Sequence, residues 1–195
     1  MKCSFKVNKT IKNGYETPLY GLTGSRLYGT RIEDKELSLG LKDCYRLHAV
    51  YESENDSAPV LPSVTLVESK FFAPGTTVTG RTSKAKAKVV FFDTSSLKLS
   101  LVYIDGSFQI GETIDGVDSN DEDLVGIIND SDGSVVKGSK VVTENYFLEV
   151  NQTPFIYDIS KIVRRKGVPT PIRQLLIVAD YYVHSPTGDY FGGQS

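Results

Sequence analysis

The chain has 195 residues, enough for one large domain or two small ones. Its formal net charge of −2 gives no global attraction to nucleic acid or an anionic membrane, and no apolar run approaches the ~18 residues of a membrane span. With 11 Tyr, 9 Phe, 17 Gly, one Met and no Trp, and with Val, Ile and Thr in short runs between turn residues, the composition points to an all-β protein.

Residues 1–35 are polar and carry Gly14, Gly21, Gly24 and Gly29; they read as an extended N-terminal arm. Residues 36–53 read as two strands around a turn, the first starting at Glu36 and the second running from Tyr45 to Tyr51. In the second, Leu47, Ala49 and Tyr51 share a face by period two. A Ser-, Asn-, Asp- and Pro-rich loop from Glu52 to Pro62 leads to a short strand at Val64–Val67. The N-terminus lacks the apolar core of a signal peptide, so Cys3 and Cys44 read as free thiols of a protein made in a reducing cytosol.

A phrase of twelve residues then occurs twice. Phe72-Ala-Pro-Gly75-Thr-Thr-Val78-Thr-Gly80-Arg-Thr-Ser83 is followed 36 positions on by Phe108-Gln-Ile-Gly111-Glu-Thr-Ile114-Asp-Gly116-Val-Asp-Ser119. Aromatic, glycine, threonine, β-branched residue, glycine and serine recur in the same places, and a repeat of this kind names an architecture before it names a chemistry. Between the copies, Ala85, Ala87, Val89 and Phe91 alternate with Lys84, Lys86, Lys88 and Val90. Leu97, Leu99, Leu101 and Tyr103 then alternate with Lys98, Ser100 and Val102. Each run is a strand with one buried face. Asp105-Gly106 turns the chain into the second copy and Asp132-Gly133 turns it again.

From residue 144 the character changes. Tyr146–Val150 reads as a strand, Asp158–Arg165 fits either a helical turn or a strand, and Val168-Pro-Thr-Pro171 breaks any regular element. Leu175-Leu-Ile-Val-Ala179 reads as a central strand buried on both faces. The expected organisation is a discontinuous β-sandwich-like domain from 36–68 plus 144–195, with 69–143 inserted as a small β-barrel built on the repeat. The abrupt end at Ser195 suggests a segment of a longer protein.

Each candidate for chemistry has a blander reading. Gly75–Thr82 nearly matches a phosphate-binding loop with Arg81 at the lysine position, but an alternating strand follows where a helix is required. The second copy repeats the glycines without the cation, so they serve turns. The acids of 115–123 suit calcium by ligand type, but Asp123 stands where the EF-hand loop needs glycine. Cys44 and His48 fall on one strand face without the second pair that zinc requires. His184 lies beside Ser185 and near Asp180, with no nucleophile-elbow motif. Arg164, Arg165, Lys166 and Arg173 form a late basic patch. No catalytic residue, metal or cofactor is assigned. Lys84, Lys86 and Lys88 read as strand-edge protection or a protein contact.

The last fifty residues carry a resemblance. Glu144–Gln152, Tyr157–Arg164, Pro169–Tyr182 and Gly188-Asp-Tyr-Phe191, with His184 in a turn between the last two, resemble segments of baseplate and tail-fibre-associated virion proteins of contractile-tailed, cyanophage-type bacteriophages. The repeated phrase and the stretch Leu41–Tyr51 with Pro59–Pro62 fit the same pattern, so the resemblance runs over about 40–195. The lysines after Ser83 depart from the small and polar residues of that pattern. The resemblance offers no catalytic residues. It implies a non-enzymatic structural module of the virion, made in the host cytoplasm, whose partners are other virion proteins and whose surface matters more than any pocket. Lys84, Lys86, Lys88, Tyr181, Tyr182, Tyr190 and Phe191 are the candidate interface residues; for the aromatics, closing the domain's own core is the alternative. No coiled-coil pattern specifies an oligomer. The second reading is a carbohydrate- or receptor-binding β-sandwich module with exposed tyrosines as sugar platforms. The third is a cell-wall hydrolase.

Overall fold

The computed structural model describes residues 2–11, 34–40, 43–68, 70–117, 122–150, 152–153, 156–157 and 159–183. The fold is all-β. In chain order the strands are β1 (Lys2–Ile11), β2 (Glu36–Ser38), β3 (Cys44–Glu52), β4 (Ser63–Thr65), β5 (Thr77–Gly80), β6 (Lys86–Asp93), β7 (Lys98–Asp105) and β8 (Thr113–Val117). They continue with β9 (Asp123–Ile127), β10 (Val135–Val136), β11 (Lys140–Val141), β12 (Tyr146–Glu149), β13 (Gln152–Thr153), β14 (Ile156–Tyr157), β15 (Lys161–Arg164) and β16 (Leu175–Val183). Among the described residues a single 3-10 turn, Thr143–Asn145, is the helical content, and no helix is long and apolar enough to cross a membrane.

The apolar run at 175–179 forms the middle of the molecule. β16 pairs antiparallel with β1 on one side and β3 on the other, and β11 extends the sheet to the order β1-β16-β3-β11. Because side chains alternate across a strand, Leu175 and Ile177 point into one core, with Leu37, Leu39, Cys44, Val50, Tyr146 and Ile162. That core lies against the three-stranded sheet β12-β15-β2. Leu176 and Val178 point the other way, towards Val90 and Val102 of β6 and β7. The central sheet is thus covered on both faces, which is why the sequence there carries no polar alternation.

The second body is the sheet β10-β4-β7-β6-β5-β8-β9. It curls until its ends meet: Leu66 bridges to Ile128, Val67 N donates to Ile127 O, and Asn129 N donates to Thr65 O. Inside lie Val64, Leu66, Phe72, Val78, Val89, Phe92, Leu99, Leu101, Phe108, Ile114 and Ile128. Ala85, Ala87, Val89, Leu99 and Leu101 of the alternating rows supply this barrel-like core, but a register shift between Val89 and Phe91 leaves Phe91 exposed and puts Phe92 inside. Val90 and Val102 on the opposite face are buried against the central sheet.

Several sequence expectations change. The strand read with the preceding flank at 64–67 belongs to the curled sheet, which runs from Ser63 to Val136, while Lys140–Val141 returns to pair with β3. The strand starting at Glu36 does not turn back onto β3. It pairs with β15, where Leu37 stands opposite Ile162 and both side chains are buried. Residues 2–11 of the expected arm form β1, and the ambiguous stretch at 158–165 contains a strand. Cys3 faces Tyr182 and Cys44 faces Tyr181 from opposite sides of β16. Two strand spacings, ~10 Å, exceed the ~7 Å reach of a disulfide.

Candidate functional site

Two polar constellations stand out, one inside the barrel and one where barrel and central sheet meet. The first is built by the repeat. β5 and β8 pair antiparallel with Val78 opposite Gly116, Thr79 opposite Asp115 and Gly80 opposite Ile114. Gly75 and Gly111, at equivalent places, take positive φ of 93° and 73° at the preceding turns, a conformation that favours glycine. Gly80 and Gly116 are needed for a different reason, close approach. A Cβ on Gly80 would lie 2.5 Å from both Glu112 Oε2 and Ser83 Oγ, and one on Gly116 would lie 3.2 Å from Thr76 Cγ2 and Val78 Cγ1. Glu112 and Thr76 are themselves equivalent in the repeat.

The Glu112 side chain is buried and fully engaged. Its carboxylate accepts from Thr82 N at 3.2 Å, Ser83 N at 3.0 Å, Ser83 Oγ at 2.9 Å and Gln109 N. These donors replace the water lost on burial, which is what makes a buried carboxylate tolerable. The serine of the first copy is therefore the partner of the glutamate of the second. Arg81, which mimics the phosphate-loop cation, instead donates twice to Asp115, at 2.8 Å each, on the exposed surface. The pair raises the Arg81 guanidinium and lowers the Asp115 carboxyl.

The second constellation centres on Asp180, 3% exposed, on β16. Asp180 Oδ2 lies 2.7 Å from His48 Nε2, accepts from Tyr45 Oη at 3.2 Å and pairs with Lys88 Nζ at 3.4 Å. His48 and Tyr45 come from β3, whereas Lys88 comes from β6 of the barrel. Asp180 continues the row Leu176, Val178 towards the barrel, so it occupies a position where the pattern calls for an apolar side chain. Burial pushes its carboxyl up, but His48 and then Lys88 outweigh burial and hold it below the usual carboxylate range. An imidazole and a carboxylate in contact are two parts of an acid–base relay. Here both side chains are almost closed to solvent, and the carboxylate is shared with a cation from the other body. What the arrangement does is hold two layers together.

The expected same-face placement of Cys44 and His48 does not occur. Cys44 points into the core against the three-stranded sheet, where burial raises its thiol, while His48 reaches Asp180 on the barrel side. The β3–β16 ladder shifts register between Val178 and Ala179 and again between Asp180 and Tyr181, and a bulge breaks the period-two rule. Among the described residues no three metal-ligating side chains gather.

The candidate interface residues scatter. Lys84 is exposed in a turn with φ 58° and is not on the strand; Lys86 is exposed at the start of β6; Lys88 turns inwards to Asp180. The three lysines therefore do not form one edge. Tyr181 packs against the core of the central sheet, and Tyr182 stacks on Tyr45 with ring centroids 4.5 Å apart. Tyr190, Phe191 and His184 lie outside the described residues, as do residues 118–121 of the acidic loop. Of the late basic patch, Arg165 lies over the Phe147 ring and donates to Glu144 O, and Arg173 pairs with Asp56. The Asp180 site was missed in the sequence although a signal existed. A lone acid closing the run Leu175-Leu-Ile-Val-Ala-Asp180 needs a buried partner, and His48 on an amphipathic strand is one of the chain's two histidines.

No family model, curated protein or solved structure matches the chain.

Proposed function

We propose that the chain is a non-enzymatic structural module of a phage tail or baseplate protein, acting through protein–protein assembly contacts. The observation that carries this reading is the way its polar chemistry is used. The Glu112 and Asp180 carboxylates bind groups of the chain itself and join parts of the scaffold. The resemblance of residues 40–195 to virion segments supplies the context. The all-β, layered architecture suits a part that must keep its shape while its surface is contacted. The test is to probe purified particles of the phage that encodes the chain with antibody raised against it, by immunogold and by mass spectrometry of the particles. Gold on the tail or baseplate is expected. Detection only in the soluble fraction of the lysate sinks the reading.

A second reading, a carbohydrate-binding module, is favoured by one feature. Tyr45, 39% exposed, and Tyr182 stack beside each other near the end of the central sheet, and aromatic faces of that kind suit sugar rings. A glycan array with the wild-type chain and a Tyr45→Ala variant decides it; binding that the variant keeps, or no binding at all, removes the tyrosine pair from consideration.

A further inference from the structure

We infer that the barrel is a hinged unit latched to the central sheet, with Asp180 as the latch, Lys88 as its catch and the paired segments around Val60 and Ser139 as the hinge. Each body has a core of its own. Phe72, Leu99, Leu101 and their neighbours fill the barrel, and Leu37, Val50, Ile162 and Ile177 fill the space behind the central sheet. The face between the bodies is a third and smaller cluster of Ala49, Tyr51, Val90, Val102, Leu176 and Val178, with Leu61 beside it.

Apolar burial is non-directional. Small flat side chains such as Ala49, Val90, Val102 and Val178 favour closeness of two sheets without specifying an angle between them. The polar pair supplies the direction. Lys88 stands two residues before Val90 on β6, and Asp180 stands two residues after Val178 on β16, so the ion pair closes one end of the apolar face. Asp180 is held from its own sheet by His48 and Tyr45, which leaves it aimed at the barrel before Lys88 arrives. Arg46 stands opposite Asp180 in the β3 ladder and Phe5 opposite it in the β1 ladder; Lys86 precedes Lys88 on β6.

The covalent links are concentrated. The chain enters the barrel through Val60–Pro62 and leaves it through Gly138–Ser139. These two crossings are tied to each other: Ser139 N donates to Val60 O at 2.8 Å, and Val60 N donates to Ser139 Oγ at 2.9 Å. Gly138, at φ 76°, packs directly on Pro62, where a Cβ would come within 2.5 Å of the proline nitrogen. Two short strands of chain tied side by side make a narrow neck, and a narrow neck is where a domain rotates. β1, which also passes along β6, moves with the central sheet.

The inference goes beyond the structural role proposed above and stands without it. The test is hydroxyl-radical footprinting of the whole chain, read residue by residue by mass spectrometry. Lys88→Met removes the catch and keeps the length of the side chain; Lys88→Arg keeps a cation at the same place. Tyr51 and Leu176 report the docking face, Phe72 reports the barrel core, and Tyr146 reports the core behind the central sheet. In Lys88→Met, labelling of Tyr51 and Leu176 is expected to rise several-fold while Phe72 and Tyr146 stay protected; Lys88→Arg is expected to keep the wild-type pattern. Unchanged labelling of Tyr51 in Lys88→Met overturns the latch. A joint rise at all four residues overturns the separability of the bodies. Protein that fails to fold as Lys88→Met is replaced by Asp180→Asn, read at the same four residues with the same outcomes.

Discussion

Thr79 and Asp115 hold the same place in the two copies of the repeat, and they stand directly opposite one another where β5 meets β8. Antiparallel pairing about that point exchanges the copies: Val78 meets Gly116, and Ile114 meets Gly80. Each copy therefore presents its β-branched residue to the other copy's glycine. The pairing is local two-fold symmetry inside one chain, broken by side chains such as Glu112 against Thr76.

The symmetry predicts unequal costs at equivalent glycines. Gly80→Ala forces a methyl to 2.5 Å from Glu112 and Ser83 oxygens, whereas Gly116→Ala meets its nearest atoms at 3.2 Å. Overpacking of this kind costs roughly 1–3 kcal/mol, so urea melts should show the larger loss for Gly80→Ala. Equal midpoints for both variants and wild type would remove the close approach.

Glu112→Gln keeps the shape but turns one acceptor oxygen into a donor facing other donors. The expected loss is on the order of 1–3 kcal/mol, the cost of leaving buried partners unsatisfied. Ser83→Ala should be milder, and the double variant should lose less than the sum, because both act on one network. Additive losses in denaturant melts would show that Ser83 and Glu112 do not work together.

Asp93 sets the turn between β6 and β7. Ser95 first, through its hydroxyl, and then Ser96 hold its carboxyl down to about 2. A lowered folded value means that the contribution is present above the ordinary carboxylate pKa of ~3.9 and fades as pH falls through about 2. Carbon-detected NMR titration should find Asp93 well below the exposed carboxylates. Ser95→Ala should move it up towards them, and no movement would refute the hydroxyl's part.

At the alkaline end, burial pushes the Tyr146 phenol up to about 12, with Arg164 acting against the rise. A raised folded value means stability that is complete below the unfolded value of ~10 and is lost as pH rises through about 12. Tyr146→Phe should therefore shift the midpoint of alkaline unfolding upwards, followed by far-ultraviolet circular dichroism. A lower or unchanged midpoint would show that ionisation of Tyr146 does not govern that limb.

The reach of sequence reading follows the range of the forces. Leu175–Ala179 was legible because burial on both faces removes the polar half of the period, and the two neighbouring layers leave that trace in five consecutive letters. In the two strands between the repeat copies only the barrel-facing row was legible; the other face carries lysines in the sequence, yet Val90 and Val102 on it are buried against the central sheet. Lys84 was misread because alternation does not reveal the left-handed residue that ends the turn before β6. The face of His48 was misread because a bulge in the β3–β16 ladder leaves no signature in β3 itself.

By itself, then, the sequence determined the all-β class, the doubled phrase and most of the barrel-facing row between its copies, since these rest on properties of neighbouring residues. Tertiary structure alone decided that Ser83 serves Glu112, that β2 joins β15, and that Asp180 gathers His48 and Lys88 from 132 and 92 positions away. A buried charge must find partners, but which partners depends on sheet order and register, and those are settled only when the whole chain has packed.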